Sequence, residues 1–461
     1  MAILNKSIVS YDKIGICCDW GIVYSLSAAI FVLPVSIAYL NSFIALAIFL
    51  YLLKKINRII LDWHLNIVHL NILGKIQFIW KGFGPPEHSL NRPLQILVLA
   101  MFLSVVFSQY PGLSLLAFFG KFLKCVFLYF CFIEAFREEK RIRIFLIIFL
   151  VSALITVLDG VIQYFTGKDF LKGHLLAGGR INSIFYTANG LGAYALPVIG
   201  LVIHFSYSTI VRNKSKVLGG ALVLFLALLL TCLCWTYSRS SWVGYLTILF
   251  VAALLDRRKV LFLGALLLIF IFIFLPSLQS VRHMHLINDS GKVVAPLQQG
   301  PVHLLNYAQH VTSVIEQGCG SGRINFWKKA VSIIRESPVF GTGLNTYSRI
   351  LKRDPDKATW WYAHNCYLQM TAETGLIGLA SFLWMLFVLF RHGFNGCHQI
   401  KDLWPLTFLQ GTIAGLSGFL VQSFFDNTFY TVQLGILMWF FIGLLVAVTR
   451  LNETTRRIVS T

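Results

Sequence analysis

Long apolar runs alternate with short polar connectors over almost the whole chain. The runs recur from Val23 nearly to the C-terminus, and their length of about 17 to 25 residues is what a helix needs to cross a bilayer. The first two are short and are alternatively one bent hairpin around Pro34. Twelve spans are predicted, at about 23–39, 41–53, 93–108, 112–133, 142–165, 187–206, 217–236, 241–255, 260–279, 366–390, 404–424 and 431–449. The pattern therefore predicts an all-α polytopic membrane protein.

The connector between the ninth and tenth predicted spans is much longer than the others. It covers residues 280–365, and a segment of this length is usually functional. Within it, RINFWKKAVSIIRESPVF predicts an amphipathic helix that ends at Ser337–Pro338 and can lie on the membrane surface. Its apolar face carries Phe326, Trp327, Ala330, Ile333 and Ile334. No soluble domain is visible, so residues 1–461 are expected to form one membrane domain with this long loop.

Composition and charge agree with that class of protein. Hydrophobic residues make up 57% of the chain and charged residues only 13%, whereas a soluble domain has about 25% charged residues. The formal net charge of +20 comes mostly from alternate connectors such as EAFREEKRIR, VRNKSK and DRRK. This positive-inside bias predicts a multi-pass membrane protein with both termini in the cytoplasm and the long loop outside. Since membrane insertion accounts for the charge, no nucleic-acid partner is expected.

The cysteines and short polar motifs give no sign of a metal or cofactor. Nine cysteines have neither zinc-site spacing nor the pattern of a disulfide framework. Cys319 and Cys366 flank the same outer segment, and a bridge between them is left open. HMH at 283–285 and DPD at 354–356 lack a third ligand nearby, so we expect no metal and no cofactor.

Three charged residues fall inside predicted spans. Lys121 and Lys124 lie in the fourth span, and Asp159 lies in the fifth. Charged side chains at membrane depth usually find a partner, so an internal ion pair is predicted, with packing or a lipid-phosphate contact as the alternatives.

Three arginines stand at predicted outer positions. Arg239 in TYSRSSWVGYL lies at a turn between two spans, where it either holds an anion or anchors to lipid phosphate. Arg323 follows the glycine-rich GCGSG and begins the amphipathic helix, an arrangement that suits bound phosphate but also an ordinary solvated face. Arg180 lies in another outer loop, shortly before Asn189, and is either structural or part of a path to the site.

His364 is the strongest candidate for proton transfer. It lies at the outer mouth of the tenth span, and imidazole is the usual general base at neutral pH, although an interfacial histidine is the simpler alternative. Glu373 follows nine residues later, about 13 Å further along a helix. It therefore needs another partner and is expected to be a structural or supporting acid. Asp426 is an outer acid that can orient an arginine.

Four segments resemble the O-antigen ligase superfamily. They are TYSRSSWVG, RINFWKKAVSIIRESPVFGTGLNTY, AHNCYLQMTAETGLIGL and SFFDNTFYTVQLGILMWF, in this order and with these outer positions. The resemblance extends from about Gly178 to Leu445. Members are bacterial inner-membrane glycosyltransferases that move a glycan from a polyprenyl diphosphate carrier to an acceptor at the periplasmic face. The ligases join O-antigen to the core of lipid A, and relatives polymerise repeat units or glycosylate proteins.

The resemblance implies a metal-independent reaction and assigns roles to residues. Its catalytic residues are Arg239 and Arg323, which hold the diphosphate, and His364, which activates the acceptor hydroxyl. The candidate substrate-binding residues are Arg180, Asn365 and Trp327, and the supporting acids are Glu373 and Asp426. The implied partners are a polyprenyl diphosphate-linked glycan, a lipid or glycan acceptor, and membrane lipids.

The resemblance leaves the individual reaction open. O-antigen ligation is the expected reaction, with O-antigen polymerisation and protein O-glycosylation as alternatives. A related branch with similar arginine segments is described as bicarbonate-uptake proteins, so anion transport is the alternative from another class. A carrier needs anion sites but no base, and the presence of His364 and Asn365 favours the enzyme.

Overall fold

The computed structural model describes residues 2–66, 88–176, 179–211, 215–280, 321–351 and 362–460. Within these ranges the chain forms helices and no β-strand. The helices are α1 (Ala2–Val32), α2 (Ile37–Asn66), α3 (Asn91–Val106), α4 (Pro111–Ala135), α5 (Glu139–Thr166), α6 (Ala188–Val211), α7 (Lys216–Trp235), α8 (Arg239–Leu255), α9 (Val260–Ser280), α10 (Ser321–Glu336), α11 (Tyr347–Leu351), α12 (Cys366–Gln399), α13 (Leu403–Gln422) and α14 (Val432–Ser460). Phe118–Leu123, within α4, is π-helical.

The fold confirms an all-α polytopic membrane protein. Each predicted span overlaps a helix, although the first, 23–39, runs through the turn after Val32 and into α2, and among the described residues nine helices are long and apolar enough to cross a membrane. Helices α3 and α8 are shorter but also apolar. The first two spans are separate helices, α1 and α2, which form a hairpin with its turn at Pro34.

The predicted amphipathic helix is present as α10, but its apolar face contacts protein. Ala330 is fully buried and Ile333 is nearly so, and both pack against Tyr347, Ala363 and Ala372. The prediction that this helix lies on the membrane surface is therefore wrong for that face. Its apolar residues instead cover the beginning of α12, since Ala363 lies just before the first residue of that helix and Ala372 lies within it.

Close packing between α6 and α13 fixes the centre of the bundle. A β-carbon added at Gly200 would lie 2.5 Å from the Gly415 nitrogen and 2.7 Å from the Gly411 oxygen. Small residues four positions apart let the backbones of membrane helices approach this closely. At one end of the bundle the same two helices are joined by a hydrogen bond of 3.0 Å from the Gln422 side chain to the Asn189 carbonyl. We call this end the site end.

A buried charge cluster joins helices at the opposite end. Lys54 Nζ lies 2.6 Å from Asp19 Oδ1 and 2.9 Å from Glu134 Oε1, and Lys55 Nζ lies 3.4 Å from Glu134 Oε2. Glu134 is 1% exposed, so the lysine ammonium groups, and not water, stabilise the charge of its carboxylate. The cluster ties α1, α2 and α4 together.

The predicted ion pair between the lysines of α4 and Asp159 does not form. Lys121 donates to Asn345 Oδ1 at 2.9 Å, and Lys124 donates to Asn41 Oδ1 at 2.7 Å. Asp159 instead accepts from the Phe170 amide at 2.8 Å, and it also accepts from Leu171 N and Ser183 Oγ. The carboxylate thus caps the chain that follows α5, and the prediction was wrong because nearby backbone amides satisfy it.

Replacing Gly200 by valine should destabilise the bundle. The added side chain meets the backbone of α13, and overpacking of this kind costs about 1 to 3 kcal/mol. Thermal unfolding in detergent should show a lower midpoint for Gly200→Val than for Gly220→Val. The control position is in α7 and has no neighbour within 4 Å of an added β-carbon. Equal midpoints for the two variants would contradict the close approach of α6 and α13.

Candidate active site

Four connectors converge at the site end. They supply Arg180 from the segment after α5, Arg239 from the turn between α7 and α8, His364 from the start of α12, and Asp426 from the segment between α13 and α14. Arg323, at the beginning of α10, is close enough for its charge to affect Arg180. The structure therefore brings together five residues that are as many as 246 positions apart in the sequence.

The turn before α8 presents Arg239 at the helix start. Tyr237 has a φ of +47°, which is uncommon for a residue other than glycine and reverses the chain direction within a few residues. Ser238 caps α8 by accepting from the Ser241 amide at 3.4 Å, and its hydroxyl also contacts Ser240 at 3.1 Å. Ser238, Ser240 and Ser241 are buried, whereas Arg239 is exposed. The predicted polar turn is thus present, and it leaves the guanidinium open to a ligand.

Arg180 is fixed from two sides. Its Nε donates to the Thr236 carbonyl at 2.7 Å, and its Nη2 donates to Asn189 Oδ1 at 2.7 Å. Burial lowers the pKa of the Arg180 guanidinium, the negative charge of Asp426 opposes that effect, and the positive charges of Arg323 and Arg239 lower the pKa further. The mutual influence of three guanidinium groups marks a region that is favourable for an anion.

A hydrogen-bonded row connects Arg180 to His364. Asn189 accepts from Arg180 and donates through Nδ2 to Asp426 Oδ2 at 2.6 Å. The other carboxylate oxygen of Asp426, Oδ1, lies 3.4 Å from His364 Nδ1 and accepts a hydrogen bond from the Asn427 amide at 2.8 Å. Burial raises the pKa of the Asp426 carboxyl, but the hydrogen bonds from His364, the Asn427 amide and Asn189 outweigh burial and hold the pKa below its ordinary value.

His364 has one ring nitrogen engaged and one available. Because the Asp426 carboxylate can only accept, Nδ1 is the donor in their contact, and in the neutral imidazole Nε2 then carries the free lone pair. The side chain is 40% exposed, so it is accessible to a second reactant. The residue has a φ of +48°, and its ring centroid lies 5.6 Å from that of Phe326 in α10. Helix α10 therefore forms one wall beside the imidazole.

The two other predicted substrate-binding residues occupy different surroundings. Asn365 is fully buried and caps α12 by accepting from the Tyr367 amide at 2.9 Å and the Leu368 amide at 3.0 Å. Its placement is that of a helix cap. Trp327 packs its ring against Phe424, with centroids 5.9 Å apart, and its buried Nε1 has no hydrogen-bond partner among the described residues.

Glu373 belongs to a separate structural junction. Its carboxylate accepts from the Asn345 amide at 2.9 Å and from the Tyr347 amide at 3.3 Å. Two residues later the helix is interrupted at Gly375, which has a φ of +69°. The Leu376 amide donates to the Pro338 carbonyl at 2.8 Å instead of to its own helix. The prediction that Glu373 has another partner is confirmed, and those partners are amides of the segment before and within α11.

Sequence reasoning missed the connecting groups of the row. The sequence places Asn189 nine positions after Arg180, but it indicated no role for Asn189, Thr236 or Gln422. Thr236 supplies only its carbonyl to Arg180, which no side-chain pattern can reveal. Gln422 is buried in an apolar helix, and a buried amide at a span end was the one available signal.

The described residues contain no group of three or more His, Cys, Asp or Glu side chains that could hold a metal. The HMH and DPD motifs and Cys319 lie outside the described residues, so the suggested bridge from Cys319 to Cys366 stays open. Cys366 is buried, and its Sγ contacts the Asp426 carbonyl at 3.2 Å.

These features define a membrane protein whose candidate site combines three neighbouring arginines with an imidazole that is oriented by a carboxylate. Residues 222–383, about a third of the chain, match the family model described as O-antigen ligase. This match confirms the resemblance to the O-antigen ligase superfamily over that part of the chain. The matched range contains Arg239, Arg323 and His364 but neither Arg180 nor Asp426. No curated protein matches the chain.

Replacing Glu373 by alanine should loosen the segment before α11. The change leaves the amides of Asn345 and Tyr347 without their acceptor, which costs about 1 to 3 kcal/mol when such groups are buried. We expect a lower unfolding midpoint and faster limited proteolysis in residues 338–351. Glu336→Ala is the matched control, because Glu336 is exposed at the end of α10. Unchanged stability of Glu373→Ala would argue against the junction.

Proposed function

We propose that the protein is an inner-membrane glycosyltransferase that moves a glycan from a polyprenyl diphosphate carrier to an acceptor hydroxyl at the periplasmic face. Ligation of O-antigen to the core of lipid A is the reaction we propose. The observation that carries the proposal is the hydrogen-bonded row of His364, Asp426, Asn189 and Arg180 beside two further arginines. The row brings an imidazole and a guanidinium into one cluster, which supports a base and an anion site acting together.

The arginines suit the leaving group. When the bond between the sugar C1 and the diphosphate oxygen breaks, its electron pair stays on the diphosphate and adds negative charge there. Guanidinium groups form strong, directed hydrogen bonds to phosphate oxygens, and preorganised cations stabilise charge that develops in the transition state. Arg239 and Arg323 have no hydrogen bond or ion pair among the described residues, so their donors are available. Arg180 is held by Thr236 and Asn189 and fixes one edge of this region.

His364 suits the acceptor. The acceptor hydroxyl attacks C1 of the donor sugar and loses its proton as the new glycosidic bond forms. Nε2 of His364 can take that proton, since Nδ1 already donates to Asp426. The nearby carboxylate then stabilises the imidazolium. Because hydrogen bonds hold the pKa of Asp426 below its ordinary value, the acid remains a carboxylate throughout the neutral range.

The charge distribution supports the proposed orientation. The opposite end of the bundle carries the cluster of Lys54, Lys55 and Arg141, as well as the basic connector Arg257–Lys259. Basic connectors favour the cytoplasm. The site end would then face the periplasm, and both termini would be cytoplasmic.

Removal of the imidazole should abolish most of the transfer activity. We expect His364→Ala to slow transfer by at least about 100-fold, the usual contribution of a general base. The measurement is glycan transfer from a polyprenyl diphosphate donor to a purified lipid acceptor in proteoliposomes. His398→Ala is the control, because that histidine is exposed at the opposite end of α12. Full activity of His364→Ala would remove the base from the proposal.

The arginines should act mainly on the donor. Arg239→Ala and Arg323→Ala should each reduce transfer by roughly 100-fold or more, since a donor to developing charge contributes that much. Arg239→Lys should retain part of the activity, because it keeps the charge but loses the paired donors. If both alanine variants transferred glycan normally, the transferase proposal would fail, and bicarbonate uptake by the same vesicles would then favour a carrier. Product length separates ligation from polymerisation.

Asp426→Asn should separate orientation from charge. The amide keeps the size of the side chain but cannot stabilise an imidazolium as a carboxylate does, so we expect transfer to fall by about 10- to 100-fold, within the range of general-base effects.

In the wild type, the lowered pKa means that the stabilising interactions of Asp426 are present above its ordinary value of 3.8 and are lost as the pH falls through the lowered value. Wild-type stability should therefore fall more steeply in acid than that of Asp426→Asn, as measured by unfolding midpoints. Parallel curves would contradict this assignment.

A further inference from the structure

Two cavities share a lining residue beside the part of α12 that carries Glu373. The first encloses about 160 Å³ among α3, α4, α12 and α14 and is largely apolar. The second encloses about 580 Å³ beside the connector between α3 and α4 and beside α11. Asn345 lines both cavities. They therefore adjoin, with one within the membrane-spanning helices and the other at the site end.

The first cavity is lined mainly by apolar residues and the second by several polar ones, which matches the apolar tail and the polar head group of a lipid. Leu97, Phe382 and Trp439 are among the apolar residues that line the first. Tyr110, Ser348 and Arg349 are among the residues that line the second and offer a phenol, a hydroxyl and a guanidinium. Apolar side chains suit an acyl or isoprenoid chain, whereas the polar set suits hydroxyl and phosphate groups.

A lysine stands at the junction. Lys121 lines the first cavity, and its Nζ donates to the Oδ1 of Asn345, the residue that the cavities share. Among the described residues, neither Lys121 nor Lys124 forms an ion pair. Glu373 lines the same cavity and is close enough for an electrostatic interaction with Lys121. The π-helical turn Phe118–Leu123 contains Lys121, and such turns in α-helices are frequent at functional sites.

The surrounding contacts hold this junction in place. Asn345 has a φ of +60°, and its amide is bound by the Glu373 carboxylate at 2.9 Å. That carboxylate also accepts from the Tyr347 amide at 3.3 Å and from Gln369 at 3.3 Å. The Tyr430 hydroxyl also forms a hydrogen bond with Glu373, so several groups around the junction hold this side chain in place. The basic groups that line the two cavities beside Asn345 are Lys121 and Lys124 in the first and Arg349 in the second.

We propose that the two cavities form one binding site for an amphiphile with an acidic, hydroxyl-bearing head group. The apolar tail lies in the first cavity, the acidic group meets Lys121, and the rest of the head group lies with Tyr110 and Arg349. Donor diphosphate is assigned to the arginines beside His364, so this site takes a second lipid. Its assignment to the acceptor lipid rests on the proposed function, whereas binding of an acidic amphiphile does not.

Lipid binding to the full-length chain tests the proposal. The chain is placed in nanodiscs of phosphatidylcholine that contain phosphatidylglycerol, a polyprenyl phosphate or a glucosamine-based phospholipid, and bound lipid is measured by native mass spectrometry. Lys121→Gln keeps a donor for Asn345 but loses the charge, so we expect about tenfold weaker binding of the acidic lipid, as for one lost charge-assisted hydrogen bond. Arg349→Gln should have a similar effect. Lys121→Arg should restore binding, and the exposed Lys168→Gln is the control at the same end.

The outcomes separate the sources of the lipid. Preferential binding of the glucosamine lipid supports the site with the acceptor as occupant, and preferential binding of phosphatidylglycerol supports it with a bulk lipid as occupant. Preferential binding of the polyprenyl phosphate, lost in Arg239→Ala but not in Lys121→Gln, would overturn it. Equal binding of phosphatidylcholine, or no effect of Lys121→Gln and Arg349→Gln, would also overturn it. His364→Ala should bind the lipid normally, so a failure of the transferase proposal would leave this result unchanged.

Discussion

The contact between α6 and α13 is the constraint on which the site depends. Because Gly200 and Gly415 have no side chains, the two backbones approach closely and the helix ends meet at the site end. There, Gln422 of α13 binds the Asn189 carbonyl, and the Asn189 side chain is left to join Arg180 to Asp426. A bulky residue at the glycine contact would separate an arginine from the acid that orients the histidine, although neither is near that glycine in the sequence.

The fold could be predicted from the sequence because the membrane imposes simple rules. Helix length follows from bilayer thickness, and backbone groups in lipid must be satisfied within helices, so each apolar run overlaps a helix. The partners of charged residues followed no such rule. Asp159 and the lysines of α4 are both in spans, yet Asp159 caps backbone amides and Lys121 binds Asn345. Partners of this kind depend on three-dimensional packing.

The sequence predicted residues of the candidate site but not the hydrogen bonds that connect them. Arg239, Arg323 and His364 came from local features such as a polar turn, a helix start and a span mouth. The row through Asn189 depends on a contact between residues 237 positions apart. No short sequence motif indicates a contact over that separation. The surface helix was misjudged for a related reason. An amphipathic pattern shows that a face is covered, but it does not say whether lipid or protein covers it, and in α10 Tyr347, Ala363 and Ala372 do so.

The interruption of α12 at Gly375 has a consequence for how the chain is assembled. The Leu376 amide is bound by Pro338, a residue from the preceding extramembrane segment, and an added β-carbon at Gly375 would lie 2.0 Å from the Val339 oxygen. An unsatisfied backbone group within lipid costs several kcal/mol. Helix α12 therefore completes its hydrogen bonding only after the segment from Pro338 has docked. We therefore expect the part of α12 around Gly375 to be a late-folding element of the bundle, which becomes ordered together with the segment that begins at Pro338.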